Sequence, residues 1–361
     1  MFNKIYLKHI YSVYLSRFAY VTLIFASLIF VLNILEEIKF FANNSEVGIG
    51  MPILLTALNL PSILFEIFPF IVLISTQFFF IKFQDDAEIL IFKNNGINNF
   101  KIISYLSLLV FIIGILIITL FQLISSNMKH SYLEFKNNYT IDNKYLAVIN
   151  ENGLWIKDKL DDQIMIINSD FINKNVLKNL VITTYNGEFI IEKNIIAEEA
   201  IITNKIWKIK NAFMVDGSGK KEKIDEYDFK TNFDYIKINS LFSNLESLSI
   251  YELYQQKKDF ESFGMATSDI NIYLNKIFSL PVSLVLFLIL TSILMFNVKY
   301  NKSKSFILII GILMSVIIYY IYYFFGLLGA NNKVPIILAI WLPNLILFLI
   351  SIIGILNVNE K

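Results

Sequence analysis

The residues best placed to do chemistry lie in a short polar stretch, residues 82–101, between two long apolar runs. Asp85 and Glu88 stand at its start and Lys93 stands near its end. This order favours a helix, because acids stabilise a helix N-terminus and bases stabilise its C-terminus. Gly96 then supplies a stop signal. We therefore predict a short helix over residues 85–95.

One face of this predicted helix is apolar. Ala87, Leu90 and Ile91 follow the i, i+3, i+4 spacing that places side chains together. An apolar face beside an acid such as Glu88 suits docking to another protein, since burial provides grip and the charge fixes the register. The alternative is an ordinary polar turn between two helices, with Glu88 as a solvated surface charge.

Few residue types for catalysis or metal binding are present elsewhere. The chain has no cysteine, so disulfides and thiolate metal sites are excluded. His9 and His130 are its two histidines, and no His-Glu-x-x-His sequence occurs. We therefore predict no catalytic residue, no metal site and no cofactor.

The composition indicates a membrane protein. Hydrophobic residues make up 56% of the 361 residues, whereas globular domains have about 45–50%. The net charge of +1 argues against a nucleic-acid partner.

Six apolar runs approach the ~20 residues that a bilayer core demands. The predicted spans are residues 18–35, 62–83, 102–124, 277–298, 305–328 and 336–356. Before the second span, residues 52–60 form a short apolar helix that we expect Pro61 to interrupt.

Between the third and fourth spans the sequence becomes β-rich. Short apolar runs alternate with turn signals, and Asn186-Gly187 is a strong hairpin signal. The predicted strands include 146–149, 153–157, 163–167, 181–185, 188–191, 200–203, 206–209 and 212–215. This spacing is typical of an antiparallel sandwich or barrel, with Trp155 and Trp207 expected in its core. Ser249 and Glu252 then form a predicted capping box.

The predicted fold class is a membrane α-helical protein with three spans on each side of an inserted all-β, jellyroll-like domain. The predicted boundaries are 1–126 for the first three spans with the helix 85–95, 137–242 for the β domain, 247–270 for linker helices and 271–361 for the last three spans.

The distribution of basic residues predicts the orientation. With a cytoplasmic N-terminus, the short outer loops hold Lys39 and Lys333. The inner side then holds Lys4, Lys8, Arg17, Lys82, Lys93, Lys101, Lys299, Lys302, Lys304 and Lys361. Both termini are thus predicted to be cytoplasmic and the β domain to lie outside the cytoplasm.

Several sequences resemble the LptF/LptG (YjgP/YjgQ) permease family of the lipopolysaccharide exporter. They are Pro61-Ser-Ile-Leu-Phe-Glu-Ile-Phe-Pro69, Ala87-Glu88-Ile-Leu-Ile-Phe-Lys-Asn-Asn-Gly96-Ile, Asn152-Gly153-Leu-Trp155-Ile-Lys-Asp158, Lys276-Ile-Phe-Ser-Leu-Pro281 and Ala339-Ile-Trp341-Leu-Pro343-Asn344. They occur in the family's order, and the resemblance covers essentially the whole chain. The Trp155 strand and the Trp341 sequence favour LptG over LptF.

The resemblance implies an ABC transporter permease in the inner membrane of a Gram-negative bacterium, serving outer membrane biogenesis. Its implied partners are a cytoplasmic LptB-like ATPase dimer, a paired LptF-like permease, an LptC/LptA-like periplasmic jellyroll bridge and lipopolysaccharide. Asp85, Ala87, Glu88, Leu90, Ile91 and Gly96 would belong to the ATPase-coupling helix, with Glu88 meeting an arginine of the ATPase.

The resemblance also implies a lateral gate along span one, with positive charge near its outer end. Glu36 and Lys39 match this place, but Lys39 is the only base in Glu36-Glu37-Ile-Lys39. Glu66 lies in apolar sequence, where an ionisable group is costly. It would line the lipid cavity or reach water.

Two other classes of protein remain as alternatives. One is a membrane enzyme that modifies an envelope lipid, and the other is a multi-span anchor for a periplasmic binding domain. A transporter subunit should co-purify with an ATPase, an enzyme should turn over lipid alone, and an anchor should do neither.

Overall fold

The structure is a computed structural model. It describes residues 2–42, 47–137, 139, 154–160, 163–173, 175–186, 190–217, 219–233, 238, 244–262, 267–297, 304–331 and 333–359. The chain divides into two compact units, residues 1–129 with 268–361 and residues 130–267.

The first unit is helical. Before the insertion its helices are α1 (Phe2–Phe41), α2 (Gly50–Asp85), α3 (Glu88–Asn94) and α4 (Asn99–Leu116), which continues through a π-helical turn (Ile117–Phe121) into α5 (Gln122–Asn137). Residues 130–137 of α5 and the helix α6 (Ile250–Ser262) belong to the second unit. After the insertion the helices of the first unit are α7 (Ser268–Asn297), α8 (Lys304–Ala330) and α9 (Ile336–Asn359). Within the part of the chain that the structure describes, six helices are long and apolar enough to cross a membrane. The six predicted spans are thus confirmed.

The prediction that Pro61 interrupts the second apolar run is wrong. Pro61 and Pro69 both lie inside the continuous helix α2. A proline removes one backbone hydrogen bond, but membrane helices tolerate this because packing against neighbouring helices re-satisfies the freed backbone group. Ser62 and Phe68, close to the two prolines, are buried in this packing.

Polar contacts between the spans reinforce the apolar packing. Asn344 of α9 accepts a hydrogen bond from Ser283 of α7 at 2.9 Å and another from Tyr322 of α8 at 2.7 Å. Gln77 of α2 donates to the backbone oxygen of Ile307 at 3.0 Å. Side-chain hydrogen bonds of this kind hold membrane helices in one relative arrangement.

The second unit contains one antiparallel sheet. Its strands are β1 (Leu154–Leu160), β2 (Gln163–Asn173), β3 (Val176–Tyr185), β4 (Ile191–Ile201), β5 (Ile206–Asp216) and β6 (Lys221–Lys230), paired in sequential order. The predicted hairpin after Asn186 joins β3 to β4. The predicted fold class is confirmed: six membrane-length helices with an antiparallel β domain inserted between the third and the fourth.

Several strand predictions differ from the structure. Residues 206–209 and 212–215 belong to the single strand β5, because Asn211 adopts a positive φ of 53° without changing the pairing register with β4 or β6. The predicted strands 188–191 and 200–203 overlap only the two ends of the single strand β4: Ile191 begins it, residues 200–201 end it, and residues 202–205 connect it to β5. Strand β6 was not predicted, since it is an edge strand rich in exposed charges. The predicted strand 146–149 lies outside the described residues.

A buried carboxylate joins the two edges of the sheet. Asp158 of β1 is fully buried and accepts hydrogen bonds from Thr231 Oγ1 at 2.6 Å, Asn232 N at 2.9 Å and Asn232 Nδ2 at 2.9 Å. Thr231 and Asn232 directly follow β6, the opposite edge strand. The sheet therefore curves enough for the chain leaving one edge to bond the other.

The two tryptophans of this unit have opposite environments. Trp207 is fully buried, and its Nε1 donates to Phe233 O at 2.8 Å. Trp155 is 58% exposed, so its prediction as a core residue is wrong. Its neighbours Leu154 and Ile156 point inward, and alternation along a strand then turns Trp155 to the outer face.

The predicted capping box is confirmed before helix α6 (Ile250–Ser262). Ser249 N and Oγ both donate to Glu252 Oε2, at 2.7 and 2.8 Å. Glu252 N donates back to Ser249 Oγ at 3.3 Å, so the first turn is held from both ends.

Candidate functional site

The predicted surface helix is present as α3, shorter than expected. Asp85 is the last residue of α2, and α3 begins three residues later at Glu88. Ala87 lies between them with a left-handed φ of 54°, which turns the chain sharply from one helix into the next. Asp86 forms an ion pair with Lys82 at 3.1 Å within the end of α2.

Gly96 ends α3 in the way that its position predicts. It has a φ of +77°, and its N–H donates to Lys93 O at 3.0 Å. Ile97 N donates to Phe92 O at 3.0 Å, which completes a Schellman motif. Phe92 and Ile97 are both buried, so the end of α3 is anchored on the core by an apolar contact.

The apolar residues of α3 divide between two faces. Ala87, Leu90 and Ile91 are exposed, with Leu90 at 64% and Ile91 at 56%. Phe92 is buried and Ile89 packs partly against the core. The three residues that the spacing groups together therefore form an outward apolar face. Adjacent exposed apolar side chains of this kind are typical of an interaction surface.

The acid of α3 faces inward. Glu88 has a side chain only 18% exposed, and its Oε2 lies 2.9 Å from His9 Nε2 of α1. The predicted contact with an arginine of another protein stays a prediction. A carboxylate accepts several hydrogen bonds, so the contact with His9 leaves capacity for a second one.

A set of aromatic rings surrounds this pair. Phe83 of α2 stacks with His9 at 6.1 Å between ring centroids and with Phe92 of α3 at 5.7 Å. Tyr6 of α1 meets Phe92 edge-on at 6.2 Å, and its hydroxyl lies 3.2 Å from that of Tyr105 in α4. Side chains of four helices thus meet at one point.

Sequence reasoning did not find His9 or Tyr6. Both lie in an amphipathic N-terminal segment of α1, whose periodicity signals a packed face without indicating the partner. The partner is remote in the chain, because Glu88 follows the whole of α2. That pairing depends on the register between α1 and α2.

The structure does not bring the other three candidate residues together. Glu36 and Lys39 are exposed near the end of α1, and Glu66 is exposed on α2. Phe18 stacks on Phe68, so Glu66 lies near residue 18 of α1. The 18 residues from there to Glu36 correspond to about 27 Å along a helix axis.

Nothing in the described part of the chain resembles a metal centre. No group of three or more His, Cys, Asp or Glu side chains is placed there to hold a metal ion. The side chains of α3 offer a contact surface, with an apolar outer face, a hydrogen bond between Glu88 and His9 and an aromatic anchor at Phe92.

Comparison with known proteins accounts for both units of the chain. No curated protein matches it. The family described as lipopolysaccharide export system permease LptF/LptG matches residues 8–357, which include the six membrane-length helices except for a few end residues, α3 and the inserted sheet. This match does not distinguish LptF from LptG. The chain is a multi-pass membrane protein that belongs to the LptF/LptG family of lipopolysaccharide export permeases.

Proposed function

We propose that this chain is the inner-membrane subunit through which a separate ATPase drives lipopolysaccharide out of the membrane. The observation that carries the proposal is the outward face of α3, where Leu90 and Ile91 are exposed on a firmly anchored helix. The chain itself contains no Gly-x-x-x-x-Gly-Lys-Ser/Thr sequence for binding ATP phosphates. Energy must therefore reach it through a contact surface.

In this proposal the exposed face of α3 inserts into a groove of an LptB-like ATPase dimer in the cytoplasm. Burial of Leu90 and Ile91 provides the grip, and an arginine of the ATPase adjoins Glu88. A second, LptF-like permease pairs with the six spans of this chain. Lipopolysaccharide enters between the two permeases, passing Glu36, Lys39 and Glu66 on this chain.

The β domain would pass the lipid to an LptC/LptA-like jellyroll bridge in the periplasm. This placement requires both termini and α3 to be cytoplasmic, as the distribution of lysines and Arg17 supports. Within the pair, the Trp155 strand and the Trp341-Leu-Pro343-Asn344 sequence favour the LptG-like member.

The test is purification of the tagged full-length chain from native membranes, followed by identification of the bound proteins. We expect an ATPase and a second six-span permease. A double substitution, Leu90→Ser with Ile91→Ser, should release the ATPase. Burying one such side chain contributes about 1.5–3 kcal/mol to the binding free energy. Replacing both therefore removes most of the apolar contribution to docking.

The matched control is Asp86→Ala. Asp86 is also exposed beside α3, but it forms an ion pair with Lys82 in the last turn of α2. Its removal should cost under ~1 kcal/mol and leave the ATPase bound. Recovery of the ATPase with the double variant at the wild-type yield would contradict docking through α3.

The same preparation separates the two alternatives. If the purified chain, free of partners, altered the covalent structure of an envelope lipid, the enzyme alternative would stand. If it bound no ATPase and altered no lipid, the anchor alternative would stand.

A further inference from the structure

Helix α3 is joined by the chain to α2 and α4, but not to α1. Residues 86–87 connect it to α2, and residues 95–98 connect it to α4. A displacement of α3 therefore pulls on these two helices directly. It can reach α1 through α2, on which Tyr14 and Phe18 of α1 pack, or directly through side-chain contacts between α3 and α1.

Such contacts are present between α3 and the N-terminal part of α1. Glu88 Oε2 lies 2.9 Å from His9 Nε2, and Tyr6 meets Phe92 edge-on at 6.2 Å between centroids. His9 and Tyr6 are about one helical turn apart on α1. They contact Glu88 and Phe92, which are also about one turn apart on α3. Two contacts at separate points restrain rotation as well as translation.

Phe83 of α2 completes the connection. It is fully buried and contacts both rings, with interplanar angles of 27° to His9 and 14° to Phe92. Stacked rings in a close-packed core resist sliding because a small shift forfeits their dispersion contacts. The assembly of His9, Tyr6, Phe83, Glu88 and Phe92 is here named the α1–α3 clamp.

We propose that His9 and Tyr6 are positioning residues that tie span one to the docking helix. The α1–α3 clamp makes a push on α3 displace α1 together with α2 and α4. In this arrangement the Glu88 carboxylate bonds His9 through one oxygen, and the outward face of Leu90 and Ile91 binds the ATPase. The inference rests on the proposed function for the source of the push, but the clamp itself is testable without it.

The first experiment measures the clamp in the isolated full-length chain. Hydrogen exchange of the peptide that contains α3 is followed by mass spectrometry in detergent. We expect His9→Ala to speed exchange of the α3 amides by roughly threefold to tenfold, the factor that a hydrogen bond and a ring contact together supply. Glu88→Gln should act in the same direction.

A double variant distinguishes a shared contact from two separate effects. If His9 and Glu88 act through one bond, His9→Ala combined with Glu88→Ala should speed exchange no more than the stronger single variant. His9→Gln keeps an N–H donor and should restore part of the protection. Lys8→Ala is the neighbouring control, because Lys8 is exposed on the same turn.

The second experiment measures transmission in the complete transporter, reconstituted in vesicles that contain lipopolysaccharide. His9→Ala should still co-purify with the ATPase and still hydrolyse ATP, but should lose export per ATP hydrolysed. Lys8→Ala should keep the wild-type amount of lipid exported per ATP hydrolysed. This ratio separates a transmission defect from a docking defect, since a docking defect lowers the recovery of the ATPase first.

The outcomes are distinct. Unchanged exchange in His9→Ala would overturn the clamp, whatever the ATPase does. Faster exchange with unchanged export per ATP would overturn its positioning role and leave the proposed function standing. Absence of an ATPase from the wild-type preparation would instead overturn the proposed function and the transmission built on it.

Discussion

Replacing Asp158 tests how the β domain is closed. Its buried carboxylate receives hydrogen bonds from Thr231 and from two donors of Asn232. Asp158→Ala strands these donors. The Thr231 hydroxyl is buried, and the two Asn232 donors are each partly buried, so we count them together as one buried donor. At about 1–3 kcal/mol for each stranded buried donor, two donors give about 2–6 kcal/mol.

The assay is urea unfolding of the full-length chain in detergent, followed by tryptophan fluorescence. Trp207 is a suitable reporter, because its Nε1 donates to Phe233 O in the segment that Asp158 anchors. Trp155→Phe and Trp341→Phe in the background leave Trp207 as the single tryptophan, since the chain has three. We expect a large fall in the unfolding free energy, given that whole domains have about 5–15 kcal/mol.

Two further variants serve as an intermediate case and a control. Thr231→Val removes one of the three bonds and should give an intermediate loss. Asp170→Ala removes an exposed bond to Asn179 at 2.7 Å, and should cost under ~1 kcal/mol. If Asp158→Ala destabilised the domain no more than Asp170→Ala does, the reasoning that Asp158 joins the two sheet edges would be wrong.

Three other predictions concern packing, topology and domain independence. A Cβ at Gly114 would lie 2.7 Å from Pro281 Cα. Gly114→Ala should therefore lower the unfolding free energy by about 1–3 kcal/mol in a thermal unfolding assay. Gly326→Ala is the control and should leave the stability unchanged, because a Cβ there would have nothing within 4 Å. A cysteine replacing Lys93 should react with an impermeant thiol reagent only after the inner membrane is opened; labelling of intact spheroplasts would contradict the orientation. Residues 137–242 expressed alone should give a β-type circular dichroism spectrum and a cooperative melt, and a disordered spectrum would refute an independent domain.

The spans and the order of elements were predictable because their signals are local. A run of about 20 apolar residues has few alternatives to crossing a bilayer, and Asn186-Gly187 marks a hairpin by its own backbone preferences. The capping box of Ser249 and Glu252 is equally local. Each of these signals lies within a few residues of the structure that it specifies.

The remaining features depend on contacts between distant residues. Asp158 meets Thr231 and Asn232 more than 70 residues later, and His9 meets Glu88 across the whole of α2. Strand β6 lacked an apolar signal because an edge strand exposes most of its side chains. Trp155 was misassigned because aromatic character alone does not specify which face of a strand a residue takes.

The most direct measurement of the central claim is lipid export from vesicles that hold the purified chain with its co-purified ATPase and second permease. The vesicles contain lipopolysaccharide, and a soluble periplasmic bridge protein outside collects it. We predict ATP-dependent transfer of chemically unaltered lipopolysaccharide, abolished when Leu90→Ser and Ile91→Ser are introduced together. Transfer at the same rate without ATP, or transfer unaffected by the double variant, would contradict the account.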